Sequence, residues 1–201
     1  MKMKLKATIQ AMGLMALAAC LPTVAQAQFE EGDNVLGVGV GIGGGYGIGF
    51  SGTGVTQTPA LGVHLDHGMG ELGPGTWGLG GAIGYKSLSY KADVPYWGYA
   101  YDYSWTYLTI GVRGTWHYNE WHGMDKLDTY GGLMLAYRSA NYKDNTVYPN
   151  GWSGAKYSWS GSGVGFSGIL GARYYFTDNI GAFLEAGFGY AVLQVGLAAK
   201  F

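Results

Sequence analysis

Charge is scarce in this chain. Asp, Glu, Lys and Arg together make up 12% of the 201 residues, about half the share of an ordinary soluble domain. Cysteine is nearly absent, and the one example, Cys20, lies close to the start. Nothing after residue 27 approaches the roughly 18 continuous apolar residues of a membrane helix. The dearth of charge argues against a typical water-facing surface, and the lack of a long apolar run excludes a helical membrane span. Without a cysteine after position 20 there is no disulfide staple and no thiol chemistry in the body of the chain.

What is present begins with a leader. Lys2, Lys4 and Lys6 are followed by an apolar run from Ala11 to Leu21, then Pro22 and the small-x-small site Ala25-Gln26-Ala27. Charge, short apolar core and small-residue site in that order make a secretory signal peptide. The expected cut follows Ala27, so residues 1–27 are removed and 28–201 form one domain. Leu17-Ala18-Ala19-Cys20 also fits a lipobox, which would make Cys20 a lipid anchor. The well-formed later site favours Cys20 as an ordinary small residue of the leader. Loss of the three lysines from the 12 Lys and Arg leaves 9 against 13 acids, a net charge of −4. That is not the balance of a nucleic-acid binder.

The body of the chain holds most of the 38 glycines and 17 tyrosines, and its period is two. From Leu36 to Gly43 every even residue is apolar and every odd one is glycine. Successive strand residues point to opposite faces, so one face is greasy and the other nearly bare. A narrow membrane barrel has that distribution, with bulk toward lipid and small or polar groups toward the lumen. The alternation recurs at 61–66, 77–86, 108–118, 132–138, 163–176, 180–188 and 193–201. Eight antiparallel strands are expected, closing an up-and-down β-barrel with a narrow, glycine-rich lumen and no open edge in hydrocarbon. Residues 71–76, 119–126 and 177–179 read as short periplasmic turns. Residues 51–58, 91–102 and 139–160 read as long extracellular loops.

The C-terminus is the most specific signal. Gln194, Gly196, Ala199 and Phe201 fit a polar-x-Gly-x-x-apolar-x-aromatic pattern ending on the last residue. This resembles the β-signal read by the outer-membrane assembly machinery. The stretch from Gly171 through Phe201 resembles the closing hairpins of small outer-membrane barrels of the OmpA/OmpX-like, porin-family type, and Tyr130 to Tyr137 resembles their fifth strand. The resemblance implies an integral protein of the bacterial outer membrane, a monomer surrounded by outer-membrane lipid and lipopolysaccharide. It implies no single role, since such barrels serve adhesion, structure, transport or lipid modification.

Parity places Asp66, Arg113, Arg173, Glu185 and Lys200 inside the barrel, where ionised groups need partners. A pair between Glu185 and Arg173 or Arg113 would plug the tube; a gated ion path is the alternative. Catalytic patterns are weak. A lipid A deacylase pairs a His with a Ser two residues on, whereas His117 is followed by Tyr118 and Asn119. His64 and His67 fall on opposite strand faces, which makes joint metal ligation awkward, and they read as a lumen and a turn histidine. The glycine series lacks the lysine and helix of a phosphate loop. No cofactor or metal is expected. Tyr and Trp crowd two loops, with Tyr96, Trp97, Tyr99, Trp152 and Trp159 expected on the extracellular rim, more than an interfacial girdle requires. The reading that follows is a non-enzymatic barrel with a structural or surface-interaction role toward an extracellular surface or glycan. A small porin is second and a lipid-modifying enzyme third.

Overall fold

A computed structural model describes residues 28–44, 53–94, 96, 99–148 and 156–201, without the side chains of Val94 and Tyr99. The leader expected at 1–27 lies outside these residues. Nine strands follow one another: β1 Asn34–Ile42, β2 Val55–Gln57, β3 Ala60–Leu72, β4 Gly75–Val94, β5 Tyr99–His117, β6 Leu127–Asp144, β7 Ser158–Tyr175, β8 Ile180–Phe188 and β9 Leu193–Lys200. Eight of them close a ring of antiparallel neighbours, β1-β3-β4-β5-β6-β7-β8-β9, with β9 returning to β1. Closure leaves no unpaired edge in an apolar solvent.

The ninth element is the outer part of the second barrel strand. β2 pairs with β4 at Tyr90 to Leu88, directly beyond the β3–β4 ladder. Thr58 and Pro59 interrupt the two. Pro59 has no N–H to give to the ladder. The Thr58 hydroxyl instead accepts from the Ser87 N–H at 2.9 Å, and the Thr58 N–H reaches the Ser87 carbonyl at 2.9 Å. The break therefore costs one residue of register and no bond.

Both ends of the chain meet at one end of the ring. Asn34 and Phe201 exchange backbone hydrogen bonds at 2.9 Å. The same terminal end carries the β3–β4 turn, where Gly73 takes φ +62° before Pro74, and the turns at 118–126 and 176–179. Asn119 ties the former by accepting from the Thr129 N–H at 2.7 Å.

Bulk faces outward as the alternation requires. Val38, Val63, Ile83, Ile110, Leu135 and Leu184 are all exposed. Exposed Trp116 and Tyr174 mark the lower margin of this apolar belt, and Tyr85 and Tyr137 the upper. Rings at both margins of an apolar band form the girdles of a membrane barrel.

The wall is uneven in height. β1, β8 and β9 have nine, nine and eight residues, about what a tilted strand needs to span. β4 to β7 have 20, 19, 18 and 18, so this half stands well above the belt. Here the sequence reading needs correction. Residues 91–102 are mainly strand, because β4 runs to Val94 and β5 starts at Tyr99, and the loop expected at 139–160 is shortened to the stretch between Asp144, where β6 ends, and Ser158, where β7 starts. Residues 55–57 of the first expected loop are strand as well. The outward positions of the raised part are polar (Ser89, Ser104, Thr106, Asn141, Lys143, Ser160), and a polar outward face reads as loop when lipid is assumed on that side. The period of two continues, but its polarity is reversed.

Candidate functional site

The lower lumen is filled by charge. Asp66, Arg113, Arg173 and Glu185 come from β3, β5, β7 and β8, each at inward parity and each almost wholly buried. Arg113 Nη2 donates to Glu185 Oε1 at 2.7 Å, and its Nε lies 2.8 Å from Asp66 Oδ1 but off the hydrogen-bonding direction. Arg173 Nη2 donates to Asp66 Oδ2, and its Nη1 stands 3.5 Å from Asp128 Oδ2. The Tyr130 hydroxyl donates to Glu185 Oε1 at 2.8 Å, and the Tyr130 ring lies under the Arg173 guanidinium at 4.3 Å. Fork-shaped guanidiniums are well matched to this role, since each can face two carboxylates at once.

Of the five lumen charges read from sequence, four converge here. Lys200 sits apart. Its Nζ donates to the Gln28 carbonyl at 3.1 Å, lies 3.5 Å from Asp33 Oδ2 and stands 5.5 Å from the Tyr175 ring centre. Three members of the centre were missed: Asp128, Tyr130 and His117. The signal for the first two was available, because both hold the inward parity of β6. The alternation at 132–138 continues back through both of them, since β6 starts at Leu127.

His117 joins this centre to the terminal end. Its Nδ1 is 2.8 Å from Asp128 Oδ1 and its Nε2 is 3.0 Å from the Thr115 hydroxyl. Hydroxyl, imidazole and carboxylate stand in the order of a nucleophilic relay. The imidazole, however, is sandwiched between the Phe29 ring at 4.0 Å and the Tyr130 ring at 5.0 Å. Asp128 is shared with Asn119 and Arg173. The Thr115 hydroxyl that a substrate carbonyl would have to reach is itself buried, and the arrangement satisfies buried polar groups.

Aromatic rings close the centre at both ends. Below, Phe29 folds into the barrel mouth and packs with Val35, Phe183 and Ala198. Above, Tyr190 leaves the short β8–β9 connection, crosses the lumen and donates from its hydroxyl to Gln194 Oε1 at 2.6 Å. It rests on bare backbone: a Cβ at Gly84 would meet the Tyr190 ring at 2.6 Å, and one at Gly62 its hydroxyl at 2.7 Å. Between Tyr190, Gln194, Met134, Ser167 and Glu185 a void of about 20 Å³ remains, room for one water.

Above Tyr190 the raised half presents its inward face. Six rings form a connected chain: Tyr101, Tyr90 and Trp105 lie 5.9, 6.1 and 6.2 Å from Tyr103, and Tyr142 lies 6.0 Å from Tyr103, 5.2 Å from Trp105 and 6.3 Å from Trp159. The ladder puts Leu88, Trp105, Tyr142 and Trp159 in one row across β4 to β7, and Tyr90 and Tyr103 in the row above. These rows continue the lumen parity of Arg113 and Asp128. Of the rim aromatics named from sequence, Tyr96 is 95% exposed and Trp159, on the inner face, 51%. Tyr99 opens β5 opposite Val94. Trp97 and Trp152 lie outside the described residues.

The assembly-signal residues fall on β9 and just after it. Gln194 is buried and lumen-facing. Gly196 lies so close to β1 that a Cβ would meet the Val38 carbonyl at 2.2 Å. Ala199 is half-buried beside Leu36 and Ile180, and Phe201 is exposed at the terminal end. His67 is not a turn residue: it lies within β3 and faces outward, its Nδ1 3.0 Å from Asn34 Oδ1, away from lumen-facing His64. No cluster of three or more His, Cys, Asp or Glu among the described residues is arranged to hold a metal.

OprG, an outer membrane protein of Pseudomonas aeruginosa, superposes with a TM-score of 0.51 at 14% identity, over 87% of this chain and 98% of that one. Ail, the attachment invasion locus protein of Yersinia pestis, is 15% identical over 85% of this chain and 99% of that one, with a TM-score of 0.48. The same protein in complex with the heparin analogue sucrose octasulfate gives 0.49. No curated protein matches the chain. The likeness to OprG concerns the fold. Residues 15–198 match the family described as "Outer membrane protein beta-barrel domain"; the chain belongs to that family and is a small β-barrel of the bacterial outer membrane.

Proposed function

We propose that this barrel is a structural or surface-interaction protein, closed to ions, that offers its raised aromatic wall to partners outside the cell. In this reading the terminal end is periplasmic and the wall of β4 to β7 is extracellular, in keeping with short periplasmic turns and longer extracellular connections. Residues 1–27 direct export, the Gln194-to-Phe201 segment engages the assembly machinery, and the mature monomer sits among lipid and lipopolysaccharide.

The observation that carries the proposal is the paired-charge centre lidded by Phe29 and Tyr190. An ion path needs continuous water, and here three carboxylates and two guanidiniums meet one another inside the barrel. The sandwiched His117 supports a non-enzymatic role. Recording in planar bilayers tests the reading. The purified barrel should insert without a stable open level. A reproducible open state of appreciable conductance would overturn it in favour of a small porin.

A further inference from the structure

The raised wall is amphipathic in the sense opposite to the membrane belt, and its apolar face is concave and half-exposed. At the foot of that face stand two cations, Lys86 on β4 and Arg138 on β6. Lys86 is buried, and its Nζ donates to the Gly43 carbonyl at 3.2 Å. Arg138 donates from Nη2 to the Phe166 carbonyl at 2.9 Å and the Ser167 hydroxyl at 2.7 Å, while its Nε is buried without a hydrogen bond. Neither is paired with a carboxylate among the described residues.

The missing counter-charge has no hidden source in the chain. Residues 45–52, 95, 97–98 and 149–155 contain no Asp or Glu. Asp93 and Asp102 are on outward positions, and Asp102 pairs with Lys91 at 3.1 Å. Asp144 holds the Thr146 N–H at 2.9 Å and lies six residues up β6 from Arg138, about 20 Å at the strand rise. Asp66, Glu185 and Asp128 are committed to Arg113, Arg173 and His117. Lys86 is buried and Arg138 half-buried with its Nε enclosed; a cation drawn out of water without a counter-charge is costly, so the upper chamber is complementary to an acid group from outside.

We propose that this inner wall binds an acidic oligosaccharide. Its sugar rings lie against Trp105, Tyr142 and Trp159, and an acid group along the chain approaches Arg138 and Lys86. Flat rings attract the C–H faces of sugars as they attract other apolar faces. The mouth of an eight-stranded barrel is only wide enough for side chains or one small ligand, which admits a thin chain and excludes a folded protein. This rests on the surface-interaction reading and names the class of ligand.

Calorimetric titration of the full barrel, folded in detergent micelles, tests it with three probes: trigalacturonate, maltotriose and triglutamate. Trigalacturonate should bind about tenfold or more tighter than either of the others, and its affinity should weaken with salt. Trp159→Ala and Arg138→Gln should each weaken it about tenfold with heat-modifiable gel mobility retained; Trp159→Phe, which keeps a ring, should bind nearly as wild type. Equal binding of maltotriose would remove the acid requirement, and equal binding of triglutamate the saccharide. Unchanged affinity in Trp159→Ala and Arg138→Gln would move the site elsewhere. If a variant fails to fold, the ranking of the three probes on the wild-type barrel still decides the ligand class. A barrel that conducts and is blocked by trigalacturonate would overturn the closed reading and keep this site. A closed barrel that binds none of the probes would do the reverse.

Discussion

At the scale of the residue, parity says which side of the sheet a charge faces but not which charge it meets. Asp66, Arg113, Arg173 and Glu185 all follow from the period of two. The pairing depends on how far each strand is staggered around the ring, which no local pattern carries. Arg173 is on the strand next to Glu185 in sequence, yet the register sets it opposite Phe183 and puts Gly171 opposite Glu185. Two residues lower, Arg173 reaches Asp66 and Asp128, and Glu185 is left to Arg113 and Tyr130. Glu185→Gln should therefore cost about 3–5 kcal/mol, the usual penalty for leaving one member of a buried pair uncompensated. The readout is urea unfolding in detergent. Adding Arg113→Met should recover part of that loss, since the two residues touch, while Arg173→Met should add its own cost with little coupling to position 185. Additivity of Glu185→Gln with Arg113→Met would show that the 2.7 Å contact contributes nothing net.

At the scale of the element, the two ends of the barrel sequence meet at the same rim and do different work. The segment before β1 shows no alternation, so nothing in the sequence marks Phe29 as a lid. Its position follows from the fold: Gly32 and Gly68 exchange hydrogen bonds with their neighbours across the rim (Gly32 N–H to Gly68 O, 2.9 Å; Gly68 N–H to Asp33 O, 2.8 Å), which turns residue 29 back into the mouth. Phe201, by contrast, was prominent in the sequence and is 59% exposed. Their variants should separate. Phe29→Ala empties a packed site and should lower unfolding stability by about 3–5 kcal/mol, with outer-membrane levels less affected. Phe201→Ala should change stability by no more than about 0.5 kcal/mol but reduce the amount of assembled, heat-modifiable barrel in cells. Equal stability loss in both would mean that the terminal aromatic acts by packing and not as an assembly signal.

At the scale of the whole molecule, the membrane's position is written in where the outward face changes character. On β5 the outward residues from Trp116 up to Leu108 are apolar or glycine, and above them come Thr106, Ser104 and Asp102. On β6 the change falls between Tyr137 and Ser139. That step was legible in the sequence as the end of the lipid-facing pattern. What it implied was not, because strands that continue into water with aromatic rings turned inward look, residue by residue, like aromatic loops. Thiol labelling distinguishes the two, and the chain is suited to it, since its one cysteine, Cys20, precedes the first strand. Lys143→Cys faces outward about three rungs above Tyr137 and should react with a membrane-impermeant maleimide on intact cells. Val112→Cys is 60% exposed in the bare protein but faces hydrocarbon, and should react only after extraction and denaturation. A Trp159→Cys substitution faces the concave side and should react on intact cells. Labelling at 112 but not at 143 would invert the barrel or move the belt upward by the height of the wall. The aromatic face would then be a buried lumen instead of an extracellular surface.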